Sequence, residues 1–184
     1  MINKNSFQEK VLIGRLKLKD KDAFSQIYDL YIDRIYRFIY FKVSRKEDAE
    51  DITSQVFLKI WDYTLLGNIK IGESFQALLY KTARNLVIDH YRVNQKKDSS
   101  NISLENVKEI ASDDNVGKAI DTGIAMTKIE QDLKKLKSEY QEVIVLHYIN
   151  ELSIKEIAEI LNKKRGNVRV LLHRAIKTLQ SLHG

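Results

Sequence analysis

Between Asp22 and Val43 apolar side chains return every three or four residues: Phe24, Ile27, Tyr28, Tyr31, Ile35, Phe38 and Ile39. That is the period of a helix with one buried face, and Asp20 or Asp22 stands where an N-cap is needed. A looser repeat of Phe7, Val11, Leu12, Leu16 and Leu18 predicts an earlier helix over about Ser6 to Leu18. Ser44-Arg45-Lys46-Glu47 has the serine-to-glutamate spacing of a capping box. The helix it would open carries Ala49, Ile52, Val56, Phe57, Ile60 and Trp61 on its apolar face. The period is lost over residues 62 to 73, DYTLLGNIKIGE, which reads as a loop. Ser74 would then cap a helix that turns Phe75, Leu78, Leu79, Ala83, Leu86, Val87 and Tyr91 inward.

The pattern resumes near the C-terminus. One helix from Met126 to Asn150 would place Ile129, Leu133, Leu136, Tyr140, Val143, Ile144 and His147 on a broad face. Ser153-Ile154-Lys155-Glu156 is a second capping-box pattern, opening a short helix with Ile157, Ala158, Ile160 and Leu161 apolar. Asn162 suits the left-handed conformation that closes such a helix. A basic turn, Lys163-Lys164-Arg165-Gly166, leads to a last helix with a stripe of Val168, Leu171, Leu172, Ala175, Ile176 and Leu179.

Composition strengthens the helical reading. The chain has no proline and only 7 glycines in 184 residues, whereas a β-rich domain needs more turn residues. Cysteine is absent, which excludes disulfides, thiol chemistry and Cys-based zinc sites. The apolar runs are too short for a membrane span, and the N-terminus lacks the apolar core of a signal peptide. A cytoplasmic protein is the expectation.

Charge divides the chain. From about residue 96 to Thr127 there is no aromatic residue, and 4 basic residues face 6 acidic ones. The flanks are basic, 16 against 12 before this stretch and 11 against 7 after it. A segment so poor in apolar groups cannot pack alone; its 32 residues would span roughly 30 Å as a flexible coil. The expected architecture is therefore all-α. Two small helical domains, residues 1–97 and 128–184, are joined by a flexible acidic linker over 98–127. The net charge of +6 suits a polyanionic partner without identifying one.

A short capped helix, a tight turn and a basic amphipathic helix make a helix-turn-helix, whose second helix enters the major groove. Basic helix faces are commonly no more than solvated. Here the caps, the turn and the aligned Arg165, Arg169, His173 and Lys177, flanked by Asn167 and Arg174, favour DNA reading. Arg and Asn are the side chains that pair with guanine and adenine edges.

With these residues in place the chain resembles the extracytoplasmic-function (ECF) sigma factors, small bacterial initiation subunits of RNA polymerase. ELSIKEIAEILN and GNVRVLLHRAIKTL resemble their region 4. AFSQIYDLYIDRIYRFIYFKV, DAEDITSQVFLKIW and LLYKTARNLVIDHYR resemble their region 2. The resemblance covers about residues 20–97 and 128–182.

It implies three surfaces and no cofactor, metal or catalytic residue. Asp48, Glu50, Asp51 and Gln55 would dock on the coiled-coil clamp of core RNA polymerase, with Phe57 and Trp61 left to the core. The loop at 62–73 and the next helix would read the −10 element. Asn85 would serve a base pocket while Lys81, Arg84, Arg92, Lys96 and Lys97 track the backbone. Region 4 would read the −35 element through Arg165, Asn167 and Arg169, with Lys164, His173 and Arg174 at its margin. Departures from the family pattern fall at Ser54-Gln55, Lys164 and Val170-Leu171. An anti-sigma factor is a further partner for many members, and the acidic linker would thread the polymerase interior.

Two other functions share parts of this pattern. Glu47, Asp48, Glu50 and Asp51 cluster as in some Mg²⁺-binding all-α hydrolases, but no second acidic motif faces them. His90, His147, His173 and His183 are scattered, and no HExxH or P-loop is present. A ligand-sensing regulator would carry the same helix-turn-helix, but would not require the basic, Asn85-bearing helix before the linker.

Overall fold

A computed structural model describes residues 4–69, 74–98 and 122–183, with side chains over 7–69, 74–93 and 129–182. Helix α1 spans Lys4–Lys17, α2 Lys21–Tyr40, α3 Lys46–Leu65 and α4 Phe75–Asp98. Helix α5 spans Thr122–Lys135, α6 Ser138–Ile144, α7 Ile154–Ile160 and α8 Arg165–His183. No strand occurs among the described residues. None of their helices is long and apolar enough to cross a membrane.

Helices α1 to α4 form one packed unit in which α2 lies against α1, α3 and α4. Its centre is Leu16, Ile27, Ile35, Phe38, Ile39, Ile60, Leu79 and Tyr80, all essentially without solvent contact. The Asp20 carboxylate accepts from the backbone N–H groups of Asp22 and Ala23 at 2.9 and 3.1 Å, capping α2 as its sequence predicts. Phe57 is buried against Tyr28, and Trp61 packs half-buried on Phe24 at 4.9 Å. Phe7, Val11 and Leu18, assigned to the apolar face of the first helix, are exposed.

Four local expectations need correction. The Ser44–Glu47 box does not form: α3 starts one residue later, with Arg45 as N-cap and no side-chain cap bond, so Ser44 lies outside the helix. Residues 62–65 belong to α3, which ends only at Leu65; Gly67 then takes φ +70°, a conformation that suits glycine. Tyr91 is 38% exposed rather than inward, and its hydroxyl donates to the Lys42 carbonyl at 2.7 Å. The helix expected over Met126–Asn150 is broken at Leu136-Lys137, which lets both α5 and α6 lie against α8. Tertiary packing outweighs the local pattern there.

After α6 the chain makes a wide π-type turn over Val145–Ile149, in which Asn150 N–H donates five residues back to Val145 O at 2.9 Å. The expected linker of 98–127 lies outside the described residues from 99 to 121, and α5 begins at Thr122. The C-terminal unit, α5 to α8, packs Leu133, Val143, Leu146, Ile157, Val168 and Ala175 into its own centre. It rests on the first unit where α7 meets α4 and the wide turn meets α2.

Candidate nucleic-acid and polymerase interfaces

The helix-turn-helix is built by local chemistry. Ser153 Oγ accepts from Glu156 N–H at 3.3 Å, and the Glu156 carboxylate accepts from Ser153 N–H at 2.8 Å. This reciprocal cap starts α7. Asn162 closes it at φ +51°, in the left-handed region its sequence predicts. Lys163 N–H bonds back to Ala158 O at 2.9 Å, which tightens the turn into α8.

Helix α8 buries Val168, Leu172 and Ala175 and turns the other face to solvent. Arg165, Asn167, Arg169, His173 and Arg174 are all exposed there, with Lys164 exposed in the turn. Val170, 50% exposed, stands in the middle of that polar face. Leu171 instead joins the core, half-buried. Of these two departures from the family pattern, Leu171 keeps the place in the stripe that its spacing predicts, and Val170 is a surface residue.

Helix α3 presents a second surface. Asp51, Gln55 and Leu58 recur at helical spacing on its exposed side. Leu58 is 64% exposed, and with Leu65 and Leu66 adds apolar area that the sequence reading overlooked. Asp48 is half-buried, 3.6 Å from His90 Nε2 of α4. Glu50 lies about a quarter turn off this strip and pairs with Lys46 at 3.5 Å.

The third surface is the face of α4 that holds Lys81, Arg84, Asn85 and Arg92. Asn85 is exposed. Arg92 is exposed and 3.8 Å from Asp89. Lys81 is half-buried and Arg84 is held by Glu142 of α6, with Nε at 3.1 Å from its carboxylate. Lys96 and Lys97 lie outside the described side chains, as do residues 70–73 of the loop before α4.

Beside this face is a group the sequence reading missed. The Lys42 side chain is only 8% exposed; its ammonium is 3.7 Å from the Glu142 carboxylate and donates to Ser138 O at 3.3 Å. Burial pulls the Lys42 ammonium below the usual lysine pKa, against the opposing pull of Glu142. Glu142 is 6% exposed and thus meets two cations, Lys42 and Arg84, from the other unit. These groups border a cavity of about 540 Å³ between the units, with Phe38, Phe41 and Tyr91 on its walls. Lys42, inside YFKV, interrupts an apolar stretch, whereas Glu142 follows Gln141 and only precedes the run VIVL. That interruption marks Lys42 as unusual without saying what it meets, and Glu142 carries no such mark.

Nearby, the Asn150 side-chain amide crosses the same junction. It donates to Arg34 O at 2.8 Å and to the Tyr80 hydroxyl at 2.6 Å. Glu159 of α7 accepts from Ser74 N–H at 3.2 Å, just before α4. Among the described residues, no group of three or more His, Asp or Glu is placed to hold a metal ion.

Two helical units, one ending in an exposed basic helix-turn-helix and the other offering an acidic helix and a basic one, define a DNA-binding protein. Sigma-70 region 2 matches residues 27–97, and Sigma-70, region 4 matches residues 127–179. The chain is 33% identical to the ECF RNA polymerase sigma factor SigW of Bacillus subtilis, over 93% of this chain and 94% of SigW. It is 32% identical to the ECF sigma factor BldN of Streptomyces coelicolor, over 93% of this chain but 64% of the longer BldN.

Among solved structures, CnrH in complex with the cytosolic domain of CnrY superposes with a TM-score of 0.72. The match covers 95% of this chain and 96% of that one, at 19% identity. The sigma factor RpoE with the anti-sigma factor NepR from Bartonella quintana gives 0.66, covering 86% and 95% at 22% identity. These two show the same fold. The chain belongs to the ECF sigma factors, a family that serves transcription initiation with core RNA polymerase.

Proposed function

We propose that this chain binds core RNA polymerase through α3, reads the −10 and −35 promoter elements through α4 and α8, and promotes strand opening. The observation that carries the reading is the α8 face, where Arg165, Asn167 and Arg169 are exposed at the helix start, after the capped α7 and a tight turn. Arg and Asn at that position reach base edges. Lys164, His173 and Arg174 flank them for phosphate contact.

On α3, Asp51 and Gln55 beside exposed Leu58 supply polar and apolar contact for the clamp, with Asp48 and Glu50 at its edges. On α4, Asn85 is the exposed polar group for a captured base, and Lys81, Arg84, Arg92, Lys96 and Lys97 follow the strand. Flipping a base out of the stack costs a few kcal/mol, which a pocket and phosphate contacts offset. The working location is the cytoplasm, and the domains are residues 1–97 and 128–184. An anti-sigma factor is a proposed partner, by likeness to RpoE held by NepR.

The test is reconstitution with core polymerase. Co-elution with core, together with permanganate-reactive thymines on promoter DNA, is the expected result. Duplex binding without polymerase and with no opening would replace this reading with a conventional repressor or activator.

A further inference from the structure

We infer that Lys42, with Arg84, is a phosphate contact for the single strand at the −10 element, and that Glu142 covers this pair in a closed form of the free protein. The inference rests on the reading of α4 proposed above. A carboxylate oxygen between two cations of another unit occupies the place a DNA phosphate oxygen would take. Glu142 Oε1 is 3.1 Å from Arg84 Nε and 3.7 Å from Lys42 Nζ. Lys42 lies in the segment after α2, against α4 through the Tyr91 hydroxyl, and so beside the Arg84 face.

Burial makes this a switch rather than a surface ion pair. With the units together Lys42 and Glu142 are almost fully covered, and each has its charge answered across the junction. With the units apart, Lys42 loses its cover and Arg84, already 43% exposed, loses its carboxylate partner, so two cations become available to a polyanion. The closure has two further polar links, Asn150 to Arg34 O and Tyr80, and Glu159 to Ser74 N–H. All three lie at one junction, so weakening any of them shifts the same equilibrium. The strand and the C-terminal unit therefore compete for Lys42 and Arg84. Core polymerase, by holding the two units apart on separate promoter elements, would uncover them.

The natural chain has no cysteine, so labels at Asp33→Cys and Gln180→Cys, both exposed, report the distance between units in the full-length protein. Binding is followed with a fluorescent mixed-sequence 20-nucleotide single strand over a salt series. Asn150→Ala changes no charge, so any gain in affinity reports opening and not net charge. It should lengthen and broaden the inter-unit distance and tighten binding on the order of tenfold, because the closed wild type binds the strand without Lys42 and Arg84.

The slope of log affinity against log salt should steepen by about 1.4, the release expected for two newly available single-strand phosphate contacts. Glu142→Ala should open the protein in the same way. Lys42→Gln added to Asn150→Ala should keep the opening and give back about 0.7 of the slope. Opening without a gain in affinity or slope would overturn the phosphate assignment. An unchanged distance in both Asn150→Ala and Glu142→Ala would overturn the closure. Wild-type holoenzyme run in parallel on promoter DNA separates the two layers: if it opens the duplex while the variants fail as described, only this inference falls. If it opens nothing, the underlying reading of α4 falls.

Discussion

Val170 offers the sharpest test of how α8 meets DNA. It stands half-exposed among Arg169, His173 and Arg174, where the only favourable base contact for an apolar side chain is the C5 methyl of thymine. At 50% exposure the valine leaves roughly 75 Å² open, and a methyl contact would cover about half of that and a similar area of the base. At about 25 cal/mol per Å² this gives an upper limit of about 2 kcal/mol. Immobilisation and imperfect fit reduce the expected value to about 1 kcal/mol, a fivefold effect.

Because Val170 is a surface residue, Val170→Ala should alter stability by no more than about 0.5 kcal/mol. The assay is a two-way cycle on a promoter selected with the holoenzyme, replacing each thymine of the −35 element by deoxyuridine. Wild type should lose about fivefold at one thymine, and Val170→Ala should lose nothing more at that same position. Equal losses from deoxyuridine in both proteins at every position would refute the contact and leave Val170 as a solvated side chain.

Other consequences are simpler to measure. Ser153→Ala removes the acceptor for Glu156 N–H and half of the reciprocal cap, and should lower unfolding stability by about 1 kcal/mol in a urea titration. Glu151, exposed at φ +57°, pays for a left-handed backbone, so Glu151→Gly should raise stability by about 0.5–1 kcal/mol in the same titration. Backbone N–H bonds from Ala23 and Asp22 and the Arg15 guanidinium hold the Asp20 carboxyl below its ordinary 3.8. The unfolded chain then takes up that proton first, so the stabilisation is complete above 3.8 and is lost as pH falls through the lowered value. The stability gap between wild type and Asp20→Ala should accordingly narrow from about pH 5 downward, and a gap constant to pH 2 would contradict the cap.

The helical period was enough to place α2, α3, α4, α7 and α8, because each buries a stripe at i, i+3 and i+4 against a neighbour. It misplaced the starts and breaks. Ser44 carries the right side chain for a cap, but its position relative to Lys46 is set by how Phe41 and Val43 enter the core. The division of α5 from α6 depends on the direction of α8, which lies some thirty residues further along. On the functional side, the exposed residues of α8 were readable as the complement of its buried stripe. Lys42, Glu142 and Asn150 were not, since their meaning arises only where two units distant in sequence touch. Leu58 was passed over for a related reason, as an apolar residue on a polar face has no periodic signature.

The wide turn at Val145–Ile149 has a consequence for inheritance. It holds one residue more than an α-helical path between the same ends, and each helical residue carries about 100° of rotation. Delete one residue there and a regular helix can form. Because the two ends keep their positions, Asn150 stays against Arg34 O and Tyr80, and the α7–α8 pair stays with it. Substitutions at the junction grade the strength of the contact between the units. A single deletion in this turn should leave that contact in place, whereas one in a regular helix would turn everything after it by about 100°.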